Sequence, residues 1–407
     1  MTVQPTKLWN RNFTLYWSGI LQAQLGSAIS GVAFSYLVLE LTNSVGSSAL
    51  TLALTMLPGL LAPFAATWVD RLPLKLPLAL GDALRGVLSL LVWYWAVQGD
   101  LTPTLLYLTS FINGLIGIFY SPAAQSALPG LVPARDLIRA NGLMGIANQS
   151  ASIMGLIGGG FLVGQFGVKN TLLFDAVTFL VMAFLMLLIQ FPARERIEEP
   201  NTYWQDLKAG FQVFTVNPLL RAIPVLGFMV MAAFAPLNTA LPKHLKSLDV
   251  GPEGYGVLMG LLTGGMLLGN VLVSVLGEKF NATRMMLLAY LFNGVFFLLF
   301  AVAHNIFLIS VLMVLIGMGT GLIMVSNSII LQTHTPRHML GRAFGVLGAT
   351  SQLGMPLTLL ILPTFVDRIP LGWLFMGTGV VLLVLSVLWL QVIRRQNSQL
   401  KVQGVQA

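Results

Sequence analysis

The chain of 407 residues contains no cysteine and very little charge. Without cysteine it can form neither a disulfide framework nor a thiolate metal site, and it has no cysteine nucleophile. Charged residues make up only 9% of the sequence, whereas a soluble domain has roughly 25%. With 56% hydrophobic residues, the chain cannot hide its apolar surface inside a water-soluble fold. The solvent of most of this chain is therefore a lipid bilayer.

Long apolar runs, separated by Gly, Pro or charged residues, dominate the sequence. Each run has about 20 to 27 residues, the length of an α-helix that crosses a membrane. The runs are too long and too uniformly apolar for the alternating strands of a membrane β-barrel. We therefore predict an all-α integral membrane protein with twelve spans, at residues 13–39, 47–69, 76–97, 103–126, 138–164, 171–191, 219–241, 253–276, 284–303, 306–331, 341–366 and 371–392.

The basic residues are distributed unevenly between the two sides that this topology defines. Twelve spans bring both termini to one side, and 18 of the 22 Lys and Arg residues fall there. Because basic residues concentrate in cytoplasmic loops, both termini are predicted in the cytoplasm. The topology explains the net charge of +8, so no nucleic-acid partner is predicted.

One segment occurs twice. It runs from Phe119 to Gly142 and returns, with fewer matches, from Leu331 to Gly345. Pro133 and Pro336, for example, are 203 positions apart, about half the chain. A half-length repeat in an apolar chain is typical of transporters built from two similar helix bundles that bind a ligand between them. We predict two pseudo-symmetric six-helix bundles, at 1–191 and 219–407, joined by a linker at 192–218.

The linker is the longest polar stretch of the chain. After its charged run at 194–199, the residues Trp204, Leu207, Phe211 and Phe214 recur at helical spacing. Aromatic residues favour the headgroup region of a membrane, so we predict an amphipathic helix on the cytoplasmic surface. A plain connecting loop is the alternative.

Three blocks are the most specific parts of the sequence. They are Arg11-Asn-Phe-Thr-Leu-Tyr-Trp17, the stretch from Ser121 to Gly142, and the copy from Leu331 to Arg342. These blocks resemble the major facilitator superfamily, and more narrowly its drug:proton antiporter family 3, which includes macrolide-efflux and siderophore-export proteins. The resemblance implies alternating access and proton-coupled export of amphipathic or lipophilic small molecules. We expect a cofactor-free monomer among the lipids of the bacterial inner membrane.

The loop after the second span also resembles the superfamily. It reads Ala66-Thr-Trp-Val-Asp70-Arg71-Leu-Pro-Leu-Lys75 and lacks the two glycines of the superfamily's loop. A carboxylate at a helix end is stabilised by the helix dipole and by a nearby cation. Asp70 is expected to latch the two bundles on the cytoplasmic side; the alternative is that these charges only set the topology. The predicted latch residues are Asp70, Arg71, Lys75, Asp82, Arg85, Arg139, Glu278 and Arg342, with Asp82 and Arg85 spaced to pair on one helix.

Polar residues deep in the spans are candidate substrate contacts, because such residues are costly in lipid. The resemblance implies that spans 1, 2, 4, 5, 7, 8, 10 and 11 surround the cavity. Gln149 and Gln352 are again 203 positions apart, which makes them the preferred pair. Each candidate can instead be a hydrogen-bonding link between helices. The candidates are Gln24, Ser27, Asn113, Asn148, Gln149, Ser152, Asn238, Asn327 and Gln352.

Proton coupling requires a titratable group in the membrane. Of the 14 acidic residues, twelve are predicted at cytoplasmic ends or in loops. Glu40 and Asp175, near the outer ends of the first and sixth spans, are the remaining candidates for protonation; the alternative is that coupling is weak or absent. The stretch from Gly155 to Gly160 resembles the family's antiporter motif but has Leu156 in place of its proline.

Other functions fit parts of the sequence. Tyr120-Ser-Pro-Ala123 and Arg139-Ala-Asn-Gly-Leu-Met144 also resemble the bacterial lysophospholipid transporter, a facilitative flippase that needs no deep carboxylate. Export of a siderophore or another metabolite by the same fold is a further alternative. A sensor or scaffold would predict a large soluble extension, whereas only a short tail follows Arg395. The sequence has no nucleophile–base set, metal cluster or phosphate loop, so we predict no enzymatic activity.

Overall fold

A computed structural model shows a chain built from α-helices. It describes residues 7–61, 65, 72–191, 211–276, 281–336 and 339–402. The helices in these ranges are α1 (Arg11–Thr42), α2 (Val45–Met56), α3 (Lys75–Gln98), α4 (Pro103–Leu131), α5 (Leu137–Leu188), α6 (Pro218–Lys246), α7 (Pro252–Leu276), α8 (Ala282–Ala301), α9 (Ile306–His334), α10 (Leu340–Ile361) and α11 (Leu371–Val402).

Ten helices in the described part of the chain are long and apolar enough to cross a membrane. One of them, α5, covers two predicted spans, because two helices follow each other there without an intervening loop. It is interrupted at Gly167, which has a φ of 77° and a ψ of 163°, a conformation that glycine adopts without steric cost. We call the parts before and after Gly167 its first and second arms. The shorter α2 continues as a 3₁₀ turn to Leu61, and most of the rest of its predicted span, 47–69, lies outside the described residues.

Side-chain caps mark the starts of α1 and α2. The Asn10 side chain accepts a hydrogen bond from the Phe13 N–H at 3.0 Å, and the Ser44 hydroxyl accepts one from the Ser47 N–H at 3.0 Å. Each cap satisfies a backbone donor that a first helical turn leaves unpaired. Asn43 ends α1 with a φ of 49°, the left-handed conformation common at helix C-termini. Two residues therefore suffice to reverse the chain between α1 and α2.

The aromatic block at the start of α1 ties this helix to its neighbours. The Tyr16 hydroxyl donates to the Ala124 carbonyl of α4 at 2.8 Å, and the Trp17 indole N–H donates to the Leu143 carbonyl of α5 at 3.2 Å. Both rings thus contribute apolar packing and a satisfied polar group.

The chain divides into two compact units. The first contains Met1–Ile197 and Pro242–Gly260, and the second contains Glu198–Leu241 and Leu261–Ala407. In the first unit α5 packs against α1 and α3, and α4 packs against α2 and α3. In the second unit α8 packs against α9 and α11.

Small residues bring the start of α7 against the first arm of α5 within the first unit. A Cβ atom on Gly160 would lie 3.0 Å from the Cα of Gly256 and would also meet the Pro252 carbonyl. A Cβ atom on Gly256 would lie 3.0 Å from the Cα of Gly160. Only glycine permits so close an approach, which lets the two backbones contact directly. In the same unit Lys243 Nζ donates to the Asn43 carbonyl at 2.8 Å.

The second unit is held by similar contacts. A Cβ atom on Gly317 of α9 would lie 3.1 Å from the Cα of Gly265 on α7. The buried Thr378 hydroxyl of α11 donates to the Ala233 carbonyl of α6 at 2.7 Å. Close backbone approach and hydroxyl-to-carbonyl bonds are the usual means by which membrane helices associate.

Candidate transport residues and a buried charge network

The predicted cavity residues of the first unit lie away from the ends of their helices. On the first arm of α5, Asn148, Gln149 and Ser152 are half-buried and fall within about one turn of one another. The Asn148 Oδ1 atom is buried and has no hydrogen-bond partner within the described part of the chain. The other members of the set are Gln24 of α1, which is exposed, and Ser27 of α1 and Asn113 of α4, which are half-buried.

In the second unit the three predicted amides differ in their surroundings. Asn238 donates from Nδ2 to the Phe234 carbonyl at 3.1 Å, one turn earlier in α6, so part of its hydrogen-bonding capacity is used within its own helix. Asn327 of α9 has a buried Oδ1 atom without a partner among the described residues. Gln352 is exposed on α10.

Amide side chains within a membrane helix need hydrogen-bond partners. An amide group that faces hydrocarbon without a partner costs several kcal/mol, so amides in such helices face protein, water or a ligand. Gln24 and Gln352 are exposed. Contact with water or with a polar part of a ligand would satisfy both of them.

The two carboxyl groups that the sequence singles out for protonation have opposite environments. Glu40 is exposed near the C-terminal end of α1. Asp175, on the second arm of α5, is completely buried. The Ser89 hydroxyl of α3 donates to Asp175 Oδ2 at 2.8 Å, and the Oδ1 atom has no partner among the described residues. Of the two, Asp175 is the group shielded from water.

Asp82 is a second buried carboxyl group. Its sequence position predicts a cytoplasmic helix end, but Asp82 lies in the second turn of α3 with no exposed surface. Asp82 and Arg85, both among the described residues, form no direct ion pair. Instead the Tyr120 hydroxyl of α4 donates to Asp82 Oδ2 at 3.2 Å, and the Arg85 Cζ atom lies 4.7 Å from the centre of the Tyr120 ring. Tyr120 therefore contacts both residues, whereas the sequence spacing predicts a direct pair between Asp82 and Arg85.

The two carboxyl groups and the guanidinium belong to one network. Asp82, Arg85 and Ser89 are spaced three and four residues apart, so they lie along one face of α3. Arg85 is close enough to both Asp82 and Asp175 to interact with them electrostatically. The network holds two acids for one base, so one proton on either carboxyl group balances its charge.

The predicted cytoplasmic latch is described only in part. Asp70, Arg71 and Glu278 lie outside the described residues, as do Trp204 and Leu207 of the predicted surface helix. Lys75 is the first residue of α3, and Arg139 is exposed near the start of α5. The Arg342 guanidinium donates to the Met339 sulfur at 3.7 Å. The latch stays a prediction.

Sequence reasoning missed Ser89 and Tyr120 as members of a polar network. Tyr120 does lie in the repeated segment, next to Ser121 and Pro122, but nothing in that pattern points to Asp82. Ser89 occupies the position seven residues after Asp82, and this helical spacing was the available signal.

The whole chain is similar to known membrane transporters. The model of the Major Facilitator Superfamily matches residues 16–244 and 223–405. The chain belongs to the major facilitator superfamily. It is a multi-pass membrane transporter of that family and not an enzyme, as predicted.

The relatives include named efflux proteins. The multidrug efflux pump Tap of Mycolicibacterium fortuitum is 26% identical over 378 residues, which cover 90% of this chain and 92% of Tap. The macrolide efflux protein A of Streptococcus pyogenes is 21% identical over 388 residues, covering 93% of this chain and 95% of that protein. These similarities confirm the predicted relationship to drug-efflux transporters at the level of distant homology.

A solved structure gives the same fold. The nucleoside transporter NupG matches with a TM-score of 0.76 and 14% sequence identity, covering 95% of this chain and 100% of the NupG chain. At this identity the match is evidence for the fold alone. The predicted all-helical fold of the superfamily is thereby confirmed.

Proposed function

We propose that this protein exports amphipathic or lipophilic small molecules across the bacterial inner membrane by alternating access, coupled to protons. The observation that carries the proposal is the similarity to Tap and to macrolide efflux protein A along nearly the full length of all three chains. Both relatives are named for drug efflux, and from them we infer this class of substrate and not a particular drug.

The chemistry of the candidate residues supports this class of substrate. The predicted contacts are seven amides and two hydroxyls, among them Gln149, Ser152 and Gln352, and none of them carries a charge. A phosphate or carboxylate ligand would call for Arg or Lys among these contacts. A large ligand with scattered polar groups matches neutral donors and acceptors, since each amide can serve as both.

Asp175 is the carboxyl group that we propose for proton coupling. Intramembrane carboxyl groups are costly and mark proton pathways in transporters. Arg85 can balance one of the acids Asp82 and Asp175, while the other takes up or releases a proton as the protein changes state. Under this proposal Glu40, which is exposed, has no part in coupling.

Transport by purified protein in proteoliposomes tests the proposal. Accumulation of a macrolide would be measured with and without an imposed pH gradient, and a lysophospholipid would be measured in parallel. We expect macrolide transport that requires the gradient. Gradient-independent movement of the lysophospholipid alone would favour the flippase, which is the alternative function. Variants of Asp175 and Glu40 separate the proposed coupling site from a general effect of lost charge.

A further inference from the structure

A basic groove lies between α6 and α11, wholly within the second unit. It has a volume of about 710 Å³ and is lined at one end by three arginines, Arg221, Arg394 and Arg395. Its walls include the apolar side chains of Val225 and Leu388. None of the predicted transport or coupling residues lines this groove.

The groove is built from one face of each helix. Arg221 and Val225 are four residues apart on α6, and Leu388 and Arg395 are seven residues apart on α11. Both spacings place the paired side chains on the same side of a helix. On each helix the arginine lies nearer the side of the chain termini, and the apolar residue lies deeper in the span. The groove therefore runs from a charged mouth to an apolar interior.

Within the part of the chain that the structure describes, the three guanidinium groups have no acidic partner. None of the groove-lining residues is acidic, and within the described residues none of the three arginines forms an ion pair. Arg221 donates to the Thr215 carbonyl at 3.0 Å, which leaves its charge unneutralised. Three like charges at one mouth repel each other, and an anion among them would relieve that repulsion. The positive-inside rule explains basic residues on this side but does not explain their convergence on one groove.

We propose that this groove binds an anionic phospholipid of the inner leaflet, with its phosphate at the three arginines and an acyl chain along Val225 and Leu388. Guanidinium groups bind phosphate through paired hydrogen bonds. Val225 is 59% exposed and Leu388 38% exposed, so an apolar surface lies directly below the charges. Free phosphate would use the arginines and leave this wall uncovered. Basic pockets between membrane helices on the cytoplasmic side have the chemistry to hold lipid headgroups.

Lipid selectivity in nanodiscs tests the proposal. Protein would be placed in phosphatidylcholine discs containing spin-labelled phosphatidylglycerol or spin-labelled phosphatidylcholine, and the immobilised fraction of each label would be compared. We expect a preference of roughly five-fold or more for phosphatidylglycerol, about the effect of one basic residue beside an anionic lipid. The triple variant Arg221→Gln, Arg394→Gln, Arg395→Gln should bring the two lipids close to equal.

A matched control removes three arginines from the same predicted side but outside the groove. These are Arg11→Gln, Arg135→Gln and Arg284→Gln, and this control should keep the preference. A second variant, Val225→Trp, leaves the arginines intact and blocks the apolar wall at an exposed position. It should lower the immobilised fraction of phosphatidylglycerol even if the triple variant folds poorly. Inorganic phosphate, added at constant ionic strength, should displace little of the lipid.

Three results would overturn the proposal. One is an equal loss of preference in the groove variant and in the matched control, which would mean that only overall charge matters. Another is a preference for phosphatidylglycerol that stays unchanged both in Val225→Trp and in the triple arginine variant. The third is full displacement of the lipid by inorganic phosphate, which would identify the groove as a site for the free anion.

Discussion

The Ser89 hydroxyl donates a hydrogen bond of 2.8 Å to Oδ2 of Asp175, joining α3 to the second arm of α5. The carboxyl group has no exposed surface, and its Oδ1 atom has no partner among the described residues. When a carboxyl group in such a place gains or loses a proton, the change in its charge acts strongly on its neighbours, because little water is present to screen it. This contact is the structural basis of the coupling that we propose.

Replacing Asp175 with Asn should uncouple transport from protons. The amide keeps the size of the side chain and can still accept the Ser89 hydrogen bond, but it cannot exchange a proton. We expect gradient-driven accumulation of substrate to fall about tenfold or more, the effect of losing roughly 1.4 kcal/mol of coupling, while substrate binding is retained. Accumulation in proteoliposomes and ligand binding in detergent measure the two quantities.

Glu40→Gln is the matched control for that experiment. It removes the same charge from an exposed position near the end of α1. Transport by this variant should equal that of the unmodified protein. If Glu40→Gln abolishes coupling and Asp175→Asn does not, the assignment of the two carboxyl groups is reversed.

Two substitutions of Tyr120 should separate its two interactions. Tyr120→Phe removes the hydroxyl that donates to Asp82 and keeps the ring beside Arg85, so we expect a loss of about 1 to 3 kcal/mol in the free energy of unfolding. Tyr120→Leu removes the ring as well and should cost about 0.5 to 2 kcal/mol more. Denaturant unfolding in detergent, followed by tryptophan fluorescence, measures both. Equal stability of the two variants would argue against a contribution from the ring.

Gly160→Ala should weaken the contact between α5 and α7. The added methyl group would lie 3.0 Å from the Gly256 Cα atom and would press on the Pro252 carbonyl, so the helices must separate. Overpacking of this kind costs about 1 to 3 kcal/mol. Gly158→Ala is the control, because a Cβ atom there has no neighbour within 4 Å. Thermal denaturation should show a lower midpoint for Gly160→Ala alone; equal midpoints would contradict the close contact.

Alanine at both Gln149 and Gln352 should weaken substrate binding. Each substitution removes an amide that is proposed to contact the ligand, and loss of one such hydrogen bond costs about 0.5 to 1.5 kcal/mol. The double variant should therefore bind a macrolide several-fold more weakly. Asn170→Ala is a suitable control, since Asn170 is exposed and bonds to the Phe166 carbonyl of its own helix. Unchanged affinity in the double variant would remove this pair from the candidate contacts.

The sequence predicted the helical membrane fold because apolar runs and the sidedness of charge report directly on burial in lipid. It predicted two spans separated near residue 167, and the non-helical backbone of Gly167 divides α5 at that place. Asp82 shows the limit more clearly. Its neighbours in sequence suggest a helix end, whereas its burial depends on Tyr120 from α4, and contacts between distant segments leave no local pattern.

Proton movement during substrate transport tests the central claim most directly. Proteoliposomes loaded with a pH-sensitive dye would receive a macrolide with no gradient imposed, and the internal pH would be followed over time. Coupled exchange predicts that substrate moving one way drives protons the other way, and that Asp175→Asn abolishes this pH change while Glu40→Gln preserves it. Substrate movement without any pH change in the unmodified protein would contradict proton-coupled export.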